Sequence, residues 1–196
     1  MFDHIRPAIV MMLFFTALLG LGYPLAMTEI AGAAFPDQAE GSLLHDAKGH
    51  VIGSSLIAQG FVRPEYLHPR PSAAGNGYDP MNSSGSNLGP MDQKLIDRVK
   101  GDAAALRKEN PGAVIPADAL TTSGSGLDPD VSPENAAMQA PRIAKARGVT
   151  LSEALAVIGA HTDQPFLGFI GQPHVNVLAV NRALDGLYPL GHSKTP

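Results

Sequence analysis

Between Arg6 and Glu29 the chain carries no charged side chain: PAIVMMLFFTALLGLGYPLAMT runs unbroken from Pro7 to Thr28. As an α-helix rising ~1.5 Å per residue it would span roughly 33 Å, enough to cross the ~30 Å hydrocarbon core of a bilayer. It is apolar on every face rather than along one stripe, which does not suit a core helix. It is also longer than the roughly 7–15-residue apolar region of a cleavable signal, although Ala31-Gly32-Ala33 imitates a cleavage site. Pro7 fits a first helical turn, where its missing N–H costs nothing. Pro24, after Gly20 and Gly22, is expected to bend or loosen the last third. In lipid such a bend calls for neighbouring helices to satisfy the freed backbone groups. Everything after this stretch is therefore read as a domain tethered to a membrane.

Flanking charge predicts the direction. Arg6 lies on the N-terminal side, whereas Glu29, Asp37, Glu40 and Asp46 all precede the next cation, Lys48. Cations stay inside, so the short head is expected in the cytoplasm and the C-terminal domain outside, periplasmic in a bacterial inner membrane. The expected division is a cytoplasmic N-terminus at 1–6, a transmembrane helix at 7–30 and a juxtamembrane linker at 31–41. An extracytoplasmic α+β domain at 42–190 and a C-terminal tail at 191–196 complete it.

Composition narrows what such a domain can do. Of 14 Lys and Arg only Arg6 precedes residue 31, and of 18 Asp and Glu only Asp3 and Glu29 do, so the remainder is mildly acidic. A nucleic-acid binder needs a clustered basic surface, and none is legible here. With no cysteine there are no disulfides, thiolate metal sites or Cys nucleophile. With 21 Gly and 17 Pro the domain is expected to be folded but rich in loops.

Along the chain, Ser42–His45, a turn through Asp46–Gly49 and Val51–Ile57 read as a β-hairpin. Gly60–Asn87 is a long irregular stretch whose aromatics Phe61, Tyr66 and Tyr78 can pin it to a core; it is also a candidate docking surface. Leu88, Met91, Leu95, Val99, Ala103 and Leu106 step by three or four, predicting a helix over Met91–Asn110 that Pro111-Gly112 ends. After Val114-Ile115 and a polar loop, Thr121–Val131, Ser132 and Pro133 open a helix to about Arg147, with Gly148 as its stop. Thr150 and Glu153 form a capping box for the next helix, to about Ala160. Val175–Val180 is the strongest strand pattern, with a short helix near Asn181–Leu187. The fold class is a single N-terminal transmembrane helix plus one loop-rich α+β extracytoplasmic domain.

The chemistry-bearing patterns are few. His-Glu-x-x-His, Gly-x-Ser-x-Gly and the phosphate-loop signature are missing. His45 and His50 flank the hairpin turn, too few for a metal site. Asp128, Asp130 and Glu134 alternate, but their spacing does not match a calcium loop. Arg142, Lys145 and Arg147 sit on one helix, and the helix that would read bases carries no cation, which argues against helix-turn-helix DNA binding. No catalytic residue and no metal ligand is expected. Ser123, Gly124, Ser125 and Gly126 precede a helix, where free N–H groups can hold an anion or nucleotide phosphate; the alternative is a cap loop whose hydroxyls satisfy backbone donors. Asp128 and Asp130 would repel a phosphate there.

Several stretches, in order along nearly the whole chain, together identify a family. They are Arg6-Pro-Ala with Tyr23-Pro24, Gly53-Ser-Ser-Leu-Ile-Ala-Gln59, His68-Pro-Arg-Pro-Ser-Ala73 and Ser83-Ser-Gly-Ser-Asn-Leu88. Thr121-Thr-Ser-Gly-Ser-Gly-Leu-Asp128, Arg142-Ile-Ala-Lys-Ala-Arg147, Gly171-Gln-Pro-His-Val-Asn-Val177 and Ala183-Leu-Asp185 continue the series. The chain resembles the C subunit of the Kdp potassium-transporting ATPase, departing at Ala58 and Ser84, where that family often has glycine. The resemblance implies a non-motor accessory subunit of an ATP-driven high-affinity potassium uptake complex. Its partners would be a channel-like potassium-translocating subunit and an ATP-hydrolysing P-type subunit. It would act as a catalytic chaperone raising the latter's ATP affinity, with no tightly bound cofactor and ATP reached through the complex. In keeping, the chain lacks the Asp-Lys-Thr-Gly phosphorylation motif and the Thr-Val-Gly-Tyr-Gly filter. The alternatives are a structural stalk or outer-mouth gate without a nucleotide role, or an anchored envelope enzyme or solute-binding protein.

Overall fold

The apolar stretch forms one continuous helix, Ile5–Ala34, with an internal irregularity that Pro24 explains. In this computed structural model, which describes residues 2–190, α1 (Ile5–Ala17) passes through a π-helical turn, Leu18–Gly22, into α2 (Tyr23–Ala34). The expected tail at 191–196 lies outside the described residues. Proline has no N–H to give and its ring crowds the carbonyl four residues back, here that of Gly20. The ladder widens just before it, with the Tyr23 N–H donating to the Leu18 carbonyl five residues earlier. Thr28 Oγ1 then donates to the Pro24 carbonyl at 2.9 Å. The helix has 30 residues and none of its apolar window is buried. At ~1.5 Å per residue it is about 45 Å long, exceeding a bilayer core by about ten residues.

The described residues divide into two compact units, one up to Ser54 and the other from Ser55 onward. In the first, the stretch expected as a linker is helical over most of its length: α2 runs on to Ala34 and a single turn, α3 (Pro36–Ala39), follows. The expected hairpin is present as β1 (Leu43–His45) and β2 (Val51–Ser54), antiparallel, with a register shift between Leu44 and His45. Asp46 organises its turn by accepting from the Lys48 and His50 N–H groups at 2.8 and 2.9 Å. These bonds, the His50 one foremost, hold its carboxyl below the usual range.

The second unit is a helical layer against a small sheet. Helices α4 (Gln93–Glu109), α5 (Pro133–Arg147), α6 (Leu151–Ala160) and α7 (Val177–Leu187) accompany β3 (Asp130–Val131), β4 (Thr162–Asp163) and β5 (His174–Asn176). The strands are antiparallel in the order β3-β5-β4. Local chemistry fixes the helix ends. Ser132 Oγ accepts from the Asn135 N–H, Pro133 opens α5, and Gly148, at φ +69°, closes it in the left-handed conformation. Thr150 and Glu153 form the reciprocal capping box. Helix α5 runs through Pro141, which deprives the Ala137 carbonyl of its partner, but Ala137 is exposed and that carbonyl can be hydrated.

The core joins Val131, Ala136, Ala140, Ile143, Val157, Val175, Val180 and Leu184 with Leu67 from the long loop. One expectation changes here. The strand predicted over Val175–Val180 ends at Asn176, whose side chain accepts from the Ala179 N–H and caps α7 from Val177. The β-branched run misled because Val177, Val180 and Leu184 repeat at helical spacing and are buried on one face. In α4 the apolar face points inward at Leu95, Val99, Ala103 and Leu106, but Met91 stands before the helix and is exposed.

Candidate functional site

The long stretch after Gly60 has only one short helical turn, Pro80–Asn82, so its backbone polar groups must find partners elsewhere. They find side chains. From Pro64 to His68 every backbone carbonyl accepts a hydrogen bond from a side chain of α5 or α7. Arg142 Nη1 donates to the Pro64 and Tyr66 carbonyls at 2.6 and 2.9 Å. Arg147 Nε donates to the Glu65 carbonyl at 2.8 Å. Asn181 Nδ2 reaches the Leu67 carbonyl at 2.9 Å, and Gln139 Nε2 the His68 carbonyl at 3.1 Å. The same two amides accept in return: the Leu67 N–H donates to Asn181 Oδ1 at 2.7 Å and the His68 N–H to Gln139 Oε1 at 2.8 Å. The strap is thus paired as a strand would be, but by side chains of two helices.

Arginine suits this task because its planar fork can serve several acceptors at once. Arg147, with its side chain fully buried, also donates to the Tyr188 carbonyl at 3.0 Å and to Asp185 at 2.8 Å, and stacks 5.1 Å from the Tyr66 ring centre. Arg142 Nη2 donates to Gln139 Oε1 at 2.6 Å. Its Nε lies 2.7 Å from Glu109 as an ion pair without the alignment of a hydrogen bond. Burial lowers the pKa of Arg142, with Glu109 opposing. The cations that would have faced DNA in a helix-turn-helix, Arg142 and Arg147, are spent on the chain's own backbone.

A cavity of ~370 Å³ lies beside the strap, lined by Phe61, His68, Tyr78, Leu106, Met138 and Arg142 among others. His68 is half-buried, its Nε2 donating to the Arg63 carbonyl at 2.9 Å. Burial lowers its pKa, and the Arg142 charge lowers it further. Tyr78, whose hydroxyl donates to the Arg70 carbonyl at 2.8 Å, has its pKa raised by burial. A second cleft of ~500 Å³ is bounded by Arg70, Asp118, Asp128, Asp130, Glu134 and His174. Arg70 pairs with Asp128 at 2.8 Å. Asp130 accepts from Asn176 Nδ2 at 3.0 Å, and burial raises its pKa. Asp118 accepts from the Ser132 N–H and hydroxyl and from Asn135. Among the described residues no group of three or more His, Asp and Glu is placed to hold a metal ion.

The Ser123–Gly126 loop packs against the other Ser-Gly stretch. The Ser125 carbonyl accepts from the Ser84 N–H at 2.9 Å and the Ser83 hydroxyl at 3.0 Å. Ser125 Oγ accepts from the Leu127 N–H at 3.1 Å, and the Gly126 N–H donates to the Ser123 carbonyl at 3.3 Å. Gly126 has φ +68°, and a Cβ there would fall 2.5 Å from the Ser84 carbonyl oxygen. One at Gly85 would fall 3.1 Å from the Gly124 oxygen. Residues 127–132, β3 among them, intervene before the helix, so the loop does not lead directly into the first turn of α5.

Sequence reasoning missed the amides. Asn181 sits on the apolar stripe of α7 with Val177, Val180 and Leu184, and Gln139 lies between buried Met138 and Ala140. A polar residue on an apolar face was the available signal, since a buried amide must be satisfied.

The family description "KdpC: K+-transporting ATPase, c chain" matches residues 5–186. The chain belongs to this family. Relatives agree over most of their length. The "Potassium-transporting ATPase KdpC subunit" of Caulobacter sp. (strain K31) is 66% identical over 189 residues, covering 96% of each chain. Its counterpart in Beijerinckia indica is 55% identical over 198 aligned positions, covering 100% of each. That of Koribacter versatilis is 51% identical over 175, covering 89% of this chain and 90% of its own. The KdpC match takes in the apolar helix, the strap and the helices that clamp it.

Proposed function

We propose that this chain is the non-motor accessory subunit of an ATP-driven potassium uptake complex. It assembles with a channel-like potassium-translocating subunit and an ATP-hydrolysing P-type subunit, and acts as a catalytic chaperone that raises the latter's ATP affinity. The family match over residues 5–186 carries this reading, because it spans helix and domain together. Positive-inside flanks support a cytoplasmic N-terminus and a periplasmic domain, which puts the domain across the membrane from cytoplasmic ATP. Ser123–Gly126 then act as a fastening loop, consistent with the bonds that tie Ser125 to Ser83 and Ser84. The effect on ATP travels through the helix, by which a bound partner shifts the pump's conformational equilibrium.

Co-purification from membranes in mild detergent is the test. The expected result is that both partner subunits come down with the chain. Potassium-dependent ATP hydrolysis should then show a higher KM for ATP when the chain is removed. An unchanged KM in a complex lacking the chain would sink the chaperone role. Sidedness is checked separately with Val114→Cys, in a chain without other cysteine and at a position 89% exposed. Labelling from the cytoplasmic face would overturn the topology.

A further inference from the structure

The loop joining β4 to β5 carries an exposed apolar tip. Phe166, Leu167, Phe169 and Ile170 are 70, 69, 76 and 52% exposed, and no charged residue lies between Asp163 and His174. Its backbone is closed on itself. The Phe166 N–H donates to the Ile170 carbonyl at 3.0 Å and the Ile170 N–H returns to the Phe166 carbonyl at 2.9 Å. Gly168 and Phe169 donate to the carbonyls of Pro165 and Phe166 at 2.9 and 3.3 Å. The turn needs left-handed backbone at Leu167, φ +55°, and Gly168, φ +81°. A leucine held in that region on a tip where it stays 69% exposed has no packing reason in the fold to be there.

We propose that this tip inserts into the acyl-chain boundary of the phospholipid bilayer, a second membrane contact besides the spanning helix on which the inference rests. Three observations favour lipid over a protein pocket. The apolar side chains are consecutive apart from Gly168 and each is more than half exposed, as a fluid phase accepts, whereas a strand laid on a protein alternates. The tip's own bonds pair the N–H groups of Phe166, Gly168, Phe169 and Ile170, donors that hydrocarbon would otherwise leave unpaired. The chain itself supplies the bilayer, since the Ile5–Ala34 helix tethers the domain to one. With no cation on the tip, insertion depends on apolar burial alone and needs no anionic lipid.

The chain has no tryptophan, so a single one reports its own surroundings. Full-length Phe169→Trp, Leu19→Trp and Val114→Trp variants would be reconstituted in phosphatidylcholine nanodiscs with or without brominated acyl chains, alone and in the assembled complex. Bromolipid should quench Phe169→Trp several-fold more than Val114→Trp, equally at low and high salt, and should quench Leu19→Trp in the span. Phe169→Trp quenched by aqueous iodide as Val114→Trp is, while Leu19→Trp responds to bromolipid, would overturn the proposal and leave the span standing. Blue-shifted emission without bromolipid quenching, in the chain or the complex, would assign the tip to a protein contact and also overturn it. An unquenched Leu19→Trp would count against the span and the insertion together.

Discussion

Asn181 and Leu67, 114 positions apart, meet through two hydrogen bonds in which one side-chain amide takes both backbone polar groups of a single residue. Both residues are buried, Leu67 at 0% and Asn181 at 1% exposure. Gln139 does the same for the next residue, His68, and also donates to Asn135 Oδ1 at 2.9 Å. A segment with no strand partner is thereby held in the core at the depth of a strand.

Removing the amide should therefore cost more than its packing. Asn181→Leu would leave the Leu67 N–H and carbonyl buried and unpaired, at about 1–3 kcal/mol for each unsatisfied group. We expect a loss of about 3 kcal/mol in urea unfolding of the full chain in mild detergent. Asn181→Asp should also be destabilising, because a carboxylate can accept from the N–H but cannot donate to the carbonyl. A loss below about 1 kcal/mol for both variants would show that the strap holds without its clamp.

The two glycines of the Ser-Gly loop should behave differently. At Gly126 a Cβ meets backbone on two sides, Ser84 O at 2.5 Å and Ala74 N at 2.8 Å, and φ is +68°. At Gly124 a Cβ meets nothing within 4 Å. Gly126→Ala should destabilise by about 2 kcal/mol or more, from left-handed strain plus the clash. Gly124→Ala should stay within about 0.5 kcal/mol. Thermal melts of the two variants decide this. Equal melts would mean the loop yields and does not fasten Ser83–Ser84.

These predictions concern residues that the sequence revealed unevenly. The spanning helix, the hairpin and the starts of α5 and α6 were legible, because an uncharged run, turn residues and caps such as Ser132 and Thr150 act locally. Lost were features set by distant partners. The strand at Val175 stops at Asn176 because that side chain turns to cap α7, a choice invisible to β-propensity. For the Gly60–Asn87 stretch the sequence offered a loop pinned to a core or a docking surface, but not its means of fastening: Arg142, Arg147, Gln139 and Asn181 bind its backbone from Pro64 to His68. Those donors sit more than seventy positions away, and no local pattern links them to it. The two Ser-Gly stretches were each legible, their packing against one another was not.

Acid should weaken the strap. The folded environment lowers the His68 pKa below 6.5, through burial first and then the Arg142 charge, with the Arg63 carbonyl and Glu109 opposing. The unfolded chain thus takes up this proton before the folded one. The stability is fully present above about 6.5, declines as pH falls from there to the folded pKa, and is lost below it. The slope approaches about 1.4 kcal/mol per pH unit at most. Asp130 contributes with the opposite sign: its raised folded pKa favours the native state at low pH and loses that contribution as pH rises through it. Comparing wild type with His68→Gln between pH 7 and 5 isolates the histidine. The difference in unfolding free energy should change with pH in favour of the variant as acid is added, and a pH-independent difference would remove His68 from the account.

Pro24 should matter for assembly more than for insertion. Restoring an N–H with Pro24→Ala lets the Gly20 carbonyl regain a partner and the π-helical turn at Leu18–Gly22 close to α-helix. One residue fewer in the turn rotates everything beyond it by about 100° about the helix axis, at 3.6 residues per turn. Side chains of α2 that face a membrane partner before the change would then face lipid. The run Pro7–Thr28 stays uncharged, so insertion should be normal in carbonate-washed membranes. Recovery of partner subunits with the tagged chain should fall several-fold. Full recovery would mean that α2 makes no directional contact and that the helix serves only as an anchor.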